Sequence, residues 1–561
     1  MKRMLLLSML ACACLGLRDG AEFHRSVDLS PLSSVAVQTD GRIKSFGSFA
    51  RGEMGFVSGP RTIAGQTPEF TYLDLMFRPE AYSDADIIFV KGAPVRAPIA
   101  QALLAADPSL EGRMASFMKS GLISEALLAR PEVEAVMTTL AGDLLRTAKP
   151  MEAVRSARAL MRPEVLLERL RVVPPAPSDT QQRWSSIADL MLLAADPAAL
   201  RVAQREAKPI PGIDPAKQLA CAVAWKDLIE AWRVGDASAV TMAARGFAEQ
   251  LRAMNPEAYP DLDRLAWESW YFANGNLVWI WLVYAASVVF LLLSISYQWS
   301  WARIAGLSLF GCAFSLQTGA LILRWWIAGR WPNSNMFEAV TTAAWMGGCA
   351  AIVLEILLRR RAGRGLFALA SAVASSIALM AAHFLPVQLN AQISNMMPVL
   401  HDVWLYIHTN VIIFSYCLIF MAAVSALGYL LHRMLGAEPA FARIGGAEMS
   451  DVTTPLRGRR LAEVLDGVTM LLMKLSFVLL WAGIAMGAIW ADHSWGRPWG
   501  WDPKEVFALN TFVVFALLVH VRYRVQDKGV WTAVLAVVGA AVMLFNWIVI
   551  NFVITGLHSY A

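Results

Sequence analysis

The stretch LVWIWLVYAASVVFLLLSISY (277–297) runs for 21 residues without a charge. A helix of that length covers about 30 Å, the thickness of the hydrocarbon core of a bilayer. Seven further apolar stretches follow it, at 303–323, 337–358, 366–385, 404–432, 467–489, 505–521 and 530–555. Lipid offers the backbone no hydrogen-bond partners, so each is expected to cross as a helix. Upstream, everything before about Trp267 reads as an ordinary soluble polypeptide. The whole chain of 561 residues is 57% hydrophobic and only 17% charged, which excludes a typical soluble enzyme. The sequence thus predicts an all-α polytopic membrane protein of about eight transmembrane helices, preceded by a mostly helical exported soluble domain.

The N-terminus MKRMLLLSMLACAC pairs Lys2 and Arg3 with a short apolar run ending in Ala11-Cys12-Ala13. That run is too short to span a bilayer comfortably and has the pattern of a signal peptide. The expected division is residues 1–22 as signal peptide, 23–266 as exported soluble domain and 267–561 as membrane domain. Charge asymmetry gives the same orientation. With the soluble domain outside, the inside loops hold Arg303, Arg359, Arg360, Arg361, Arg364, Arg433, Arg443, Arg457, Arg459, Arg460, Arg522, Arg524 and Lys528, whereas the outside loops hold Arg324, Arg330, Arg497 and Lys504. Roughly thirteen basic residues against roughly four obeys the positive-inside rule.

Cys221, Cys312, Cys349 and Cys417 are far apart, the last three within apolar runs, so no disulfide framework is expected. No Cys-x-x-Cys-His occurs, and the net charge of +5 makes no case for nucleic-acid binding. In the soluble part, LSSVAVQTDGRIKSFGSFARG (32–52) suggests a hairpin turning at Asp40-Gly41. Helical periodicity follows in 131–148 and 151–173, interrupted by the Pro-rich VVPPAPSDT (172–180). No catalytic motif stands out there.

The chemistry concentrates in IWADHSWGRPWGWDPKEVF (489–507). Trp490, Trp495, Trp499 and Trp501 lie at the outer membrane surface in a predicted loop, 490–505, broken by Gly496, Pro498, Gly500 and Pro503. An aromatic belt at the interface accounts for any one of these tryptophans. Four alternating with helix breakers, and followed by Asp502, Lys504 and Glu505, suit a flat aromatic shelf for a large planar ligand whose edge is polar. Haem fits, and haem iron commonly takes histidine. Of eight histidines, His408 near the outer start of the fifth span and His558 after the eighth lie in the plane of the shelf. His401 competes with His408. His24, His432 and His493 have ordinary solvated or interfacial roles, and His383 is undecided. His520 is fifteen residues beyond Glu505, about 22 Å along a helix and thus near the inner face. An intramembrane ionisable residue points to function, although snorkelling beside Arg522 and Arg524 is the competing account.

At these positions the chain resembles the CcsA/ResC type of cytochrome c biogenesis protein, in the tryptophan-rich "WWD" haem-handling superfamily. WGRPWGWDPKE (495–505) is similar to the family pattern Trp-Gly-x-x-Trp-x-Trp-Asp-Pro-Lys-Glu. WLYIHTNVIIFSY, LLVHVR and GLHSYA resemble the segments bearing its first outer, membrane and second outer histidines, and RWWIAGRWPNSNMFEAV resembles a family loop. The resemblance covers nearly all of 277–561. It implies that His408 and His558 are axial ligands of haem b on the outer face, that Trp495, Trp499, Trp501 and Asp502 form its platform, and that His520 serves an inner haem site.

The function implied is delivery of haem to exported apocytochrome c, with thioether bonds formed between haem vinyl groups and the thiols of Cys-x-x-Cys-His. Implied partners are a ResB/CcsB-like membrane protein, the apocytochrome and thiol-reducing factors, at a bacterial inner membrane. Some relatives are fused to the ResB part. VQTDGRIKSFGSFARG is similar to a segment preceding the CcsA portion in such fusions, yet this chain has no ResB-type spans, so a separate partner is expected, with His383 an internal candidate for the second ligand of His520. A haem transporter or chaperone without ligation activity is the alternative. A di-haem electron-transfer subunit would instead pair histidines across the bilayer.

Overall fold

The structure is a computed structural model that describes residues 23–39, 41–59, 62–63, 65–143, 146–177, 179, 182–192, 209–357, 365–395, 402–436, 438–442 and 459–552. The expected signal peptide, His401 and His558 lie outside the described residues. The chain divides into two compact units, 1–274 and 275–561.

The first unit is helical with little sheet. Strands β1 (Ala36–Thr39) and β2 (Arg42–Ser45) pair antiparallel from Ala36↔Ser45 to Thr39↔Arg42. Gly41, at φ +75°, takes the left-handed backbone that so tight a turn requires. Helices Pro68–Phe77, Pro131–Ala141, Pro163–Arg169 and Pro215–Val234 each begin at a proline. Its fixed φ suits the first helical turn, where its missing N–H costs nothing. Trp225 and Trp232 are buried against Phe77 and, for Trp232, Phe70. Asp74 is buried among them and accepts hydrogen bonds from Trp232 Nε1 (2.8 Å), Tyr82 Oη (2.7 Å) and Arg78 Nε (2.6 Å). These donors offset the cost of taking a carboxylate out of water.

Among the described residues, the second unit has eight helices long and apolar enough to span a membrane, as predicted. They are α1 (Trp281–Tyr297), α2 (Ser300–Ala328), α3 (Met336–Leu357), α4 (Leu366–Phe384), α5 (Val403–Met434), α6 (Arg459–Trp495), α7 (Pro503–Val521) and α8 (Lys528–Phe552). The chain is a multi-pass membrane protein. A 3-10 turn, Gly275–Ile280, leads into α1. Helix α4, rich in Ala and Ser, is 61% buried along its apolar window, whereas α7 is only 17% buried. Small side chains let neighbouring backbones approach closely, which puts α4 at the centre of its bundle and leaves α7 at the rim.

Helix α6 corrects one expectation. The sequence places its end near 489 and puts Trp490 and Trp495 in a loop, but the helix runs 37 residues to Trp495, about 55 Å. No breaker occurs in Ala491-Asp492-His493-Ser494, so the helix continues past the bilayer until Gly496, at φ +68°, turns the chain.

Candidate functional site

His408 sits in the second turn of α5, where its ring faces α6. Its Nδ1 lies 2.7 Å from the carbonyl oxygen of Gly483. A carbonyl only accepts, so Nδ1 carries the hydrogen and, in the neutral ring, the lone pair is on Nε2. A protein-bound metal would take that nitrogen, and a backbone carbonyl on the other nitrogen is a usual second-shell partner for a metal-binding histidine. The contact is close because α6 presents glycine here. A Cβ on Gly487 would lie 2.6 Å from His408 Cε1, and one on Gly483 would lie 2.5 Å from Ile412 Cδ1. Gly483 and Gly487 form a small-x-x-x-small groove that admits the imidazole. Gly487 precedes Trp490 and Trp495 by three and eight residues, about 5 and 12 Å along the axis. His408 therefore lies at the level of α6 about one to two turns below Trp490 and Trp495.

The other side of α5 is braced by the loop between α2 and α3. Trp331 Nε1 donates to Asn410 Oδ1 (3.0 Å), and Asn333 Nδ2 donates to Thr409 Oγ1 (3.1 Å), the two residues that follow His408. Glu338, fully buried, organises this loop. It pairs with Arg324 (2.9 Å) and Arg330 (2.9 Å) and accepts from the Ser334 amide (2.8 Å) and hydroxyl (3.0 Å). Both arginines reach on to the segment before α5, at the carbonyls of Ala391 (3.0 Å) and Ser394 (3.2 Å). The sequence counts these arginines among the outer-loop charges and places them with Glu338 in the stretch that resembles a family loop, without marking Glu338 as its centre. The available signal was Asn335-x-x-Glu338 at the head of an apolar run: Asn335 Oδ1 accepts from the Glu338 amide at 2.9 Å, while the carboxylate serves the arginines.

The tryptophans divide by environment. Trp490 is 2% exposed and meets Trp495 edge to face at 4.9 Å, so it is packing within the α6 end. Trp501 is 73% exposed, and its ring stands at 86° to that of Trp499, 6.0 Å away. The rings form a corner rather than the flat shelf expected. Asp502 is buried and is the N-cap of α7. Its carboxylate accepts from the Lys504 amide (3.1 Å), and Glu505 returns the bond to the Asp502 amide (3.1 Å), completing a capping box. The Gly500 amide donates to the same Glu505 Oε2 (2.8 Å). Aspartate before Pro503 is thus first a helix-start signal, and its placement of Trp501 follows from that role.

The remaining histidines are dispersed. His520 lies near the far end of α7, exposed, with Nδ1 2.6 Å from the Ala516 carbonyl of its own helix. Its Nε2 therefore holds the lone pair in the neutral ring, as for His408. Two residues on, Arg522 is clamped to Asp466 by two bonds of 2.6 Å and donates to the Ala442 carbonyl at 2.9 Å, fixing this end of α7 to α6. His383 packs on Phe384 and Trp281, at the end of α4 adjoining the start of α1. Successive spans alternate in direction, so His383 is at the opposite membrane face from His520 and does not supply its second ligand. His493 lies 3.7 Å from Asp402, the N-cap of α5, which ties the α6 end to the α5 start. His24 Nε2 accepts from the Thr67 amide at 3.0 Å, and burial holds its pKa below the usual value. Among the described residues no cluster of His, Cys, Asp or Glu fits a bare metal ion.

A family profile described as "Cytochrome C assembly protein" matches residues 333–558. The chain is 33% identical over 256 residues to the cytochrome c biogenesis protein CcsA of Parasynechococcus marenigrum, covering 44% of this chain and 82% of the relative. It is 31% identical over 288 residues to CcsA of Thermosynechococcus vestitus, covering 47% and 89%. For CcsA of Porphyra purpurea the identity is 29% over 318 residues, covering 52% and 95%.

Proposed function

The chain belongs to the CcsA family of cytochrome c biogenesis proteins, and on that premise we propose that it holds haem b at the tryptophan face of the membrane for covalent attachment to exported apocytochrome c. The observation that carries this reading is His408. The glycine groove of α6 seats its ring, and the Gly483 carbonyl takes its Nδ1 hydrogen, selecting the tautomer whose Nε2 is the nitrogen iron would take, at the level of α6 about one to two turns below Trp490 and Trp495. His558 is the proposed second axial ligand. Trp495, Trp499 and Trp501 flank the porphyrin, with the exposed Trp501 as its main contact, and Asp502 orients that indole through the helix cap.

Haem supplies vinyl groups, across which the two thiols of Cys-x-x-Cys-His add: each S–H bond breaks, an S–C bond forms, and the hydrogen goes to the neighbouring vinyl carbon. The chain contributes position. Two imidazoles and an indole holding the ring with one edge open make the addition effectively intramolecular, worth up to about 7–11 kcal/mol of barrier when aligned. Thiol-reducing factors keep both cysteines competent. The soluble unit, 23–266, and the haem site face the periplasm in this reading, residues 1–22 act as signal peptide, and the membrane is the bacterial inner membrane. His520, exposed at the rim of the bundle, serves an inner haem site completed by a ResB/CcsB-like partner.

Co-expression of the full chain, its partner and an apocytochrome in a host without its own maturation system tests the proposal. Haem that stays on the cytochrome after denaturing electrophoresis is expected. Haem bound to this chain with no covalent product would instead identify a carrier.

A further inference from the structure

Trp501 has a backbone that tryptophan does not choose. Its φ is +55°, in the left-handed region, where a side chain other than glycine is disfavoured about tenfold, equivalent to about 1.4 kcal/mol. Burial does not compensate, because the indole is 73% exposed. Glycine would adopt this backbone without penalty, as Gly496 does at φ +68° in the same stretch. Strain kept at an exposed aromatic residue is a mark of contact with something outside the fold.

Two backbone hydrogen bonds restrain it. The amides of Gly500 and Asp502, one on each side of Trp501, converge on one oxygen, Glu505 Oε2, at 2.8 and 3.1 Å. Relaxing Trp501 to negative φ would rotate one peptide away and forfeit its bond to a charged acceptor. Glu505 is itself held in the first turn of α7 by the reciprocal cap with Asp502. We propose that Glu505 is a positioning residue whose carboxylate latches the left-handed backbone of Trp501 and so keeps its indole projected toward haem. The inference rests on the reading of Trp501 as a haem contact, and it adds to that reading the group that makes the contact rigid.

The test uses full-length protein labelled with 5-fluorotryptophan, in detergent, with the Trp501 fluorine resonance assigned by Trp501→Phe. Haem retention is read separately from the visible spectrum after haemin addition. Glu505→Ala is expected to shift or split the Trp501 line and to weaken haem retention about tenfold, the population lost when the strained conformer is no longer favoured. Glu505→Gln, whose amide oxygen can accept both N–H groups, should keep the line in place and retention within about twofold. An unmoved Trp501 line in Glu505→Ala would overturn the latch. A moved line with unchanged haem would leave the latch standing and overturn Trp501 as a haem contact. Should Glu505→Ala fail to accumulate, the double variant with Trp501→Gly decides: recovery is expected because glycine needs no latch, and equal loss would make Glu505 a helix cap only.

Discussion

At the scale of single residues, the candidate site depends on what α6 lacks. Gly487 has no Cβ, and the imidazole of His408 fills that volume. Gly487→Ala would drive a methyl into the ring of a residue already tied to the Gly483 carbonyl, and overpacking of this kind costs about 1–3 kcal/mol. Haem retention in that variant is expected to fall about fivefold or more by absorbance titration. Gly483→Ala meets Ile412 at Cδ1 and Cγ1 (2.5 and 2.7 Å) and Val411 Cγ1 (3.5 Å), neither of them the His408 ring, and should lose less haem. If the two variants lose haem equally, the groove is a general packing feature. His408 was legible in the sequence, because histidine at the head of a span beside tryptophans is an uncommon juxtaposition. The glycines were not. A glycine within an apolar run looks the same whether it faces lipid, another helix or an imidazole. The same limit hid Glu338, whose burial depends on two arginines brought together by a loop.

At the scale of elements, the spans were legible almost to their ends because hydrocarbon thickness fixes their length and lipid forbids unpaired backbone. The exceptions were α6, which overruns the expected 467–489 at both ends (Arg459–Trp495), and α2, which runs on to Ala328 past the expected 323; beyond the apolar run hydropathy falls silent and only a breaker marks the stop. Asp502 belongs to this scale. As an N-cap, its replacement by alanine should cost about 1 kcal/mol, seen as a lower thermal unfolding midpoint, while serine, another good cap, should restore it. Haem loss in Asp502→Ser without loss of stability would show a direct contact with the ligand instead. The Arg522–Asp466 pair fixes the far end of α7. Breaking it singly, as in Asp466→Leu, leaves a buried guanidinium uncompensated and should cost about 3–5 kcal/mol, whereas Asp466→Leu with Arg522→Met should recover most of it. An undiminished single variant, judged by thermal unfolding, would mean water reaches that end of the helix.

At the scale of the whole molecule, the membrane unit joins the α2–α3 loop, the segment before α5, the first turns of α5 and the end of α6 into one face, through Arg330 to Ser394, Trp331 to Asn410 and His493 to Asp402. That convergence was implied by counting spans, since alternation alone puts these segments together. The opposite end shows a different economy. Helix α7 is the least buried span and carries His520 on its exposed side, an ionisable group that lipid does not welcome. A partner helix over α7 is therefore expected, and affinity purification should recover a second polytopic protein; full ligation activity from this chain alone would contradict it. The central claim is that His408 ligates haem iron, and it is tested most directly by the visible spectrum of purified His408→Gly with and without imidazole. The account predicts that the haem band of the unaltered protein is largely lost in the variant and partly regained when free imidazole enters the vacated groove. An unchanged spectrum in His408→Gly would contradict it.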